Sequence, residues 1–212
     1  MNEPRKNLPK GRSLRGTIEV PGDKSITHRA VMLSALAEGV SEVVVYLPSE
    51  DCQRTITAFR EMGISITDEE SGEVPTLWIN GKGLWGLSEP QGVLDCGNSG
   101  TTMRLLTGLL AGQSFFSVLT GDASLRSRPM RRVIEPLRLM GAEIAGRSGG
   151  NLAPLAISGK KLSGIDAPLR IASAQVKSAI LLGGLMASGV TTISEPSRSR
   201  DHTERMFRYF GV

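Results

Sequence analysis

Three stretches of the chain, DKSITHRAVMLSALAEGVSEVVV, GNSGTTMRLLTGLLAGQSFFSVL and IASAQVKSAILLGGLMASGVTTI, repeat one pattern. Each opens on small polar residues and sets a basic side chain one turn later (Arg29, Arg104, Lys177). It then runs apolar and rich in Ala and Leu, and reaches a glycine (Gly39, Gly112, Gly189) before a β-branched run. Ser25, Ser99 and Ser173 follow one another at intervals of 74 residues. A fixed period marks a supersecondary unit that recurs along the chain and buries its apolar face against its neighbours.

Read physically, one unit is helix, turn, strand. Asp23, Asn98 and Ser173 are the expected N-caps, glycine is the usual residue just past a helix, and β-branched residues suit the strand that follows. The helices lack a polar face along most of their length, which predicts burial between sheets. A second helix follows in each unit, in EDCQRTITAFREMGISI, RSRPMRRVIEPLRLMGAEI and RSRDHTERMFRYFGV, closed by Gly63, Gly141 and Gly211. Pro129 is expected at the first helical position of the middle one. In the first two units, strands are expected at 64–67 and 76–80 and at 142–145 and 154–158, whereas the third unit reaches Val212 before any such pair. The expected architecture is an α/β domain of three repeats with the third truncated, that is, a fragment of a longer protein.

At 212 residues with 40% hydrophobic and 22% charged side chains, the chain has enough apolar material for a globular core. No segment approaches the roughly 20 apolar residues of a membrane span, and the polar, basic opening lacks the apolar run of a signal peptide. A cytoplasmic location without membrane attachment is expected. Cys52 and Cys96 have neither metal-site spacing nor the density of a disulfide scaffold, so reduced thiols and no metal are expected. The net charge of +4 suits nucleic acid, anionic lipid or an acidic metabolite. Aromatic residues make up only 4% of the chain and no Lys/Arg run exceeds two, which argues against nucleic acid.

Helix starts carry the chemistry in this reading, because unpaired N–H groups and the positive end of the macrodipole receive phosphate or carboxylate. Pro21-Gly22-Asp23-Lys24-Ser25 supplies a sharp loop, an ammonium and a hydroxyl, with Arg29 one turn on. Lys24 serves either as a point charge or, if burial lowers its pKa, as a proton-transfer group. Gly97-Asn98-Ser99-Gly100-Thr101 brings backbone close to a ligand, Arg126 and Arg128 add guanidinium groups, and Ser173 and Gln175 add a hydroxyl and an amide. Arg198, Arg200, Asp201 and His202 precede the last helix. Each feature also has a plainer reading: solvated charges, a Gly-rich turn, an exposed basic turn, or N-capping alone for Ser173 and Asp201. The recurrence of the helix starts favours a ligand.

Taken together and in order, PGDKSITHRA, GNSGTTMR, RSRPM, SAQVKSA and SRDHTERM resemble the N-terminal half of the 5-enolpyruvylshikimate-3-phosphate synthase family, from about Gly11 to Val212. The resemblance implies an enzyme of two domains, each an inside-out α/β barrel of three βαβαββ units, that closes on shikimate 3-phosphate and phosphoenolpyruvate. It implies that residues 1–20 form a tail and first strand packing with the missing C-terminal domain. Residues 21–212 would form the N-terminal substrate-binding domain, incomplete at its C-terminal end. By the same resemblance Lys24, Ser25, Arg29, Ser173, Ala174, Gln175 and Arg200 are shikimate 3-phosphate contacts, and Lys24, Asn98, Gly100, Thr101, Arg128 and Gln175 serve phosphoenolpyruvate. Lys24, touching both substrates, is the catalytic candidate. The family belongs to aromatic amino acid biosynthesis, uses no metal or organic cofactor, and is the target of glyphosate, which competes with phosphoenolpyruvate. A monomer is expected. The family's acidic residues and further basic ligands lie in the other domain, so this chain is expected to bind shikimate 3-phosphate weakly and not to turn over.

Overall fold

The computed structural model describes residue 11, residues 15–69 and residues 74–212. The first unit runs α1 (Lys24–Leu36), β1 (Glu38–Val44), α2 (Glu50–Glu61), β2 (Ser65–Glu69) and β3 (Thr76–Lys82). The second runs β4 (Leu94–Asp95), α3 (Gly100–Ala111), β5 (Phe116–Thr120), a short α4 (Ala123–Ser127), α5 (Arg131–Leu139), β6 (Glu143–Arg147) and β7 (Leu152–Ser158). The third runs β8 (Leu162–Ser163), β9 (Asp166–Pro168), α6 (Ala174–Gly184), β10 (Ala187–Ser188), β11 (Thr192–Ser194) and α7 (His202–Tyr209).

The second unit shows the whole pattern. β4 and β5 are parallel across the α3 crossover, β5 is antiparallel to β7, and β7 to β6, in the order β4-β5-β7-β6. The first unit repeats this as an antiparallel sheet in the order β1-β3-β2. The third repeats the crossover, with β10 parallel to β8 and β11 parallel to β9 around α6. Residues 15–20 precede α1 as β4 precedes α3, but they form no strand, and Ile18 and Val20 are largely exposed. The first strand is expected over residues 14–20, and of these Leu14 lies outside the described residues.

Three helix starts are capped by short polar side chains, with one correction to the expectation. Asp23 accepts the N–H of Ile26, Ser173 that of Val176, and Ser99, not Asn98, that of Thr102. Asn98 is unavailable because its side chain is turned toward Asp122 and Arg128. The caps therefore fall at intervals of 76 and 74 residues, so α1 starts two residues earlier in its unit than the serine register predicts.

The closing glycines divide into two groups. Gly63, Gly141 and Gly211 stand directly after the C-caps of α2, α5 and α7 with φ of +86°, +98° and +84°. Each start-to-stop pattern is the same: Gly63 N–H bonds Arg60 O and Ile64 N–H bonds Phe59 O, a Schellman pair repeated at Gly141/Ala142 and Gly211/Val212. α3 stops at Gly112 as expected, though this C-cap is right-handed with φ −92°, whereas Gly39 and Gly189 lie beyond the ends of α1 and α6. Pro129 likewise lies outside α5, whose first residue is Arg131. Asn151, from the turn before β7, accepts the Arg131 N–H through its side chain and the Met130 N–H through its carbonyl, which fixes that start from another element.

The apolar helices α1, α3 and α6 lie inside, packed on one another as well as on the strands. A Cβ on Gly108 of α3 would sit 2.0 Å from the Ala179 carbonyl oxygen of α6, so only glycine permits this approach. The sheets wrap the outside, sending Leu77 and Ile79 of β3 and Leu155 and Ile157 of β7 inward. Their other faces meet solvent, with Val40, Val44, Trp78 and Phe116 exposed. The amphipathic helices turn one stripe inward, as Cys52, Thr55, Ile56 and Phe59 of α2 do.

Candidate functional site

The helix starts meet at one end of the domain. Once Asp23, Ser99 and Ser173 have accepted their capping N–H groups, the first two amides of each helix stay outside its ladder: Lys24 and Ser25, Gly100 and Thr101, Ala174 and Gln175. Side chains tie the starts together. Gln175 donates from Nε2 to Thr101 Oγ1 at 3.0 Å and accepts on Oε1 from Arg104 Nη1 at 3.1 Å. Arg200, just ahead of α7, donates to Ser25 Oγ at 3.3 Å. Lys24, half exposed, pairs with Asp51 at 2.9 Å at the start of α2.

The second start is the most strongly positive. Arg128 donates to the Asn98 carbonyl at 3.2 Å, to Asn98 Oδ1 at 2.5 Å and to Ser124 Oγ at 3.2 Å, which fixes its guanidinium beside the loop. Arg104 donates to the Gly100 carbonyl at 3.3 Å. Burial lowers the Arg104 pKa, and Arg128 and Arg132 lower it further, the signature of cations gathered at one spot. A Cβ on Gly100 would lie 2.6 Å from Arg104 Nη1 and 3.4 Å from Arg128 Nη1, so the absent side chain is what keeps both guanidinium groups close to the backbone.

Arg29 lies deeper than the other clustered cations. It is only 4% exposed, and its Nε donates to Thr203 Oγ1 at 2.7 Å, Nη1 to the Ser25 carbonyl at 2.8 Å and Nη2 to Ser178 Oγ at 2.6 Å. Burial lowers its pKa, opposed by Glu204. The residue knits α1, α6 and α7 together, and one N–H on each terminal nitrogen is left over by these bonds. Lys177, its counterpart in the third unit, is turned away to Glu195 at 2.8 Å and Glu204 at 2.6 Å. Burial works against the Lys177 charge, but the two carboxylates outweigh it and raise its pKa. Arg126 is an exposed residue of α4.

Sequence reasoning gathered most of the cluster and missed Asp51, the partner of Lys24, and the placement of Arg104. The repeat itself marks Arg104, which occupies the same slot as Arg29. Asp51 carries no local signal beyond its place in the first turn of a helix. Among the described residues, no three His, Cys, Asp or Glu side chains gather as a metal site, and no helix is long and apolar enough to cross a membrane. A concavity of about 500 Å³ on the second sheet, lined by Phe116, Arg138, Glu143 and Ile144 among others, includes none of the clustered residues.

Comparison with known proteins decides the family. The profile described as EPSP synthase (3-phosphoshikimate 1-carboxyvinyltransferase) matches residues 8–212. The chain belongs to the EPSP synthase family. A 3-phosphoshikimate 1-carboxyvinyltransferase of Geotalea uraniireducens is 61% identical over 200 residues, covering 94% of this chain and 46% of that protein. One from Syntrophotalea carbinolica is 59% identical over 212 residues, covering 100% and 48%. The solved EPSP synthase of Acinetobacter baumannii superposes with a TM-score of 0.90 at 50% identity, over 97% of this chain and 46% of that one. The α/β fold is thus that of the family, and the chain spans about half the length of the relatives it matches.

Proposed function

We propose that this chain is the shikimate 3-phosphate-binding half of an enolpyruvyl transferase, which moves the enolpyruvyl group of phosphoenolpyruvate to the 5-hydroxyl of shikimate 3-phosphate. The observation that carries the reading is the convergence of three capped helix starts with Lys24, Arg104, Arg128 and Arg200 around them, in a chain of this family. Such an end of the molecule is built for small, multiply charged anions.

In the reaction, the 5-oxygen bonds to C2 of phosphoenolpyruvate as its proton is lost and C3 gains one. The C2–O bond to phosphate then breaks, C3 gives up a proton, and the enol ether and inorganic phosphate leave. On this side of the cleft, Ser25, Ser173, the Ala174 amide and Arg200 hold the phosphate of shikimate 3-phosphate, with the free N–H groups of Arg29 behind them. Gln175 faces the ring hydroxyls and the enolpyruvyl group. Arg128, the Gly100 amide and Lys24 hold phosphoenolpyruvate, supported by Asn98 and Thr101, and stabilise charge as phosphate departs. Lys24 reaches both substrates, and Asp51 balances its charge until they arrive. The acid for C3 is assigned to the second half that the relatives carry, so turnover is expected to require it.

The test has two arms. Titrating shikimate 3-phosphate into the chain is expected to shift the amide signals of Lys24, Ser25 and Ala174 at millimolar ligand, while the chain alone forms no enolpyruvyl product. The chain joined to its second half is expected to form it. Absence of any amide shift makes the chain an inert folding fragment; product from the purified chain alone overturns the division of labour.

A further inference from the structure

Beneath the site runs a line of buried polar groups that none of the proposed ligand contacts uses. His28 of α1, Thr55 of α2, Thr102 and Ser99 of the α3 start are all essentially without solvent exposure. His28 Nδ1 lies 2.7 Å from Thr55 Oγ1, Thr55 Oγ1 lies 2.7 Å from Thr102 Oγ1, and Thr102 Oγ1 lies 2.7 Å from Ser99 Oγ. We propose that Thr55 is a positioning residue for the phosphoenolpyruvate side of the site, holding the start of α3 in register with α1 through a one-way chain of hydrogen bonds. The proposal rests on the function proposed above.

The direction of the chain follows from counting protons. Thr102 has one hydroxyl proton, its geometry makes it the donor to Ser99, and the Asp51 carbonyl is farther away at 3.4 Å, so no proton is left for Thr55. Thr55 then donates to Thr102, so His28 donates from Nδ1 to Thr55. That leaves His28 Nε2 as a bare lone pair, and Nε2 is the ring atom that is buried without a partner. Had the chain run the other way, a buried N–H would be orphaned instead, which structures tolerate less well. The imidazole is neutral at working pH: burial pushes it down to about 4, Asp51 resists, and Lys24 and Arg29 assist.

Position is what the chain controls. Gly100 and Thr101 stand between Ser99 and Thr102, so whatever fixes those two fixes the amides that face the ligand. His28 lies one turn along α1 from Lys24 and Ser25, so Thr55 joins the two substrate sides without touching either ligand. A small displacement of the Gly100 and Thr101 amides weakens the hold on phosphoenolpyruvate in the ground state and the transition state alike, which appears in KM and leaves kcat unchanged.

In the complete enzyme, Thr55→Val keeps the volume and removes both bonds. The KM for phosphoenolpyruvate is expected to rise about ten-fold while kcat and the KM for shikimate 3-phosphate change less than about two-fold, and Thr55→Ser is expected to restore the value. Thr102→Val, which cuts the next link and leaves His28 paired, is expected to give the same split should Thr55→Val fail to fold. An unchanged KM for phosphoenolpyruvate in a folded variant overturns the proposal, even if its melting temperature falls. So does an equal rise in both KM values. Nitrogen-15 spectra of His28 in the unmodified enzyme are expected to show a neutral ring with the proton on Nδ1; a proton on Nε2 overturns the chain. An unmodified enzyme that forms no product fails the functional reading, and the His28 spectrum still decides the chain by itself.

Discussion

His28 shows how much one residue can depend on burial. An imidazole with no exposed surface holds its neutral form down to about pH 4, whereas in the unfolded chain it takes up a proton near 6.5. The unfolded state therefore binds more protons between those values. Stability is complete above pH 6.5, is lost as pH falls toward 4 and changes no further below it. The loss attributable to His28 is about 3 kcal/mol, and urea unfolding is expected to show a stability difference between pH 7 and pH 4 that is smaller by that amount in His28→Gln. Equal differences in both proteins would contradict the assignment. The charged groups around the ring are Asp51, which favours the imidazolium, and Lys24 and Arg29, which oppose it. Nothing in the local sequence marks such a site: a histidine beside an arginine in DKSITHRA reads equally well as a solvated pair.

Among the elements, α3 and α6 set the tightest tolerance. Gly108→Ala introduces a methyl group 2.0 Å from the Ala179 carbonyl oxygen, and the backbones of both helices must part to admit it. The expected cost is about 3 kcal/mol, at the upper end for overpacking, because the clash is with backbone and no side chain can rotate away. Chemical denaturation of the variant measures it, and a loss under about 0.5 kcal/mol would mean that the two helices slide freely. The elements themselves were largely legible. The strands expected at 64–67, 76–80, 142–145 and 154–158 appear as β2, β3, β6 and β7, and Gly63, Gly141 and Gly211 end their helices as read. Those signals are local, a hydrophobic period or a left-handed glycine. Asn98, Pro129 and the Gly39 and Gly189 positions misled where partners from elsewhere, such as Asn151 at α5, decided where a helix starts or stops.

For the whole molecule, the sheets leave an open margin. β1 pairs with β3 on one side, and no described strand pairs on its other, where the second unit has β4 beside β5. Val40 and Val44 on this strand are exposed, at 67% and 55%. An unpaired edge with exposed valines favours pairing between chains. The 212-residue chain is expected to self-associate at high micromolar concentration, and Val40→Lys to reduce that association in sedimentation velocity runs; no difference between the two would place the contact elsewhere. The sequence by itself determined the repeat, the identity of most helices and strands, and the residue types at the helix starts, because each is written in neighbours a few positions apart. Only the tertiary structure decided that Arg29 is shared with Ser178 and Thr203, 149 and 174 residues away, that Lys177 turns to two glutamates, and that Thr55 joins His28 to the α3 start. Those choices depend on which side chains meet across the packed helices, and no local pattern encodes a meeting at that separation.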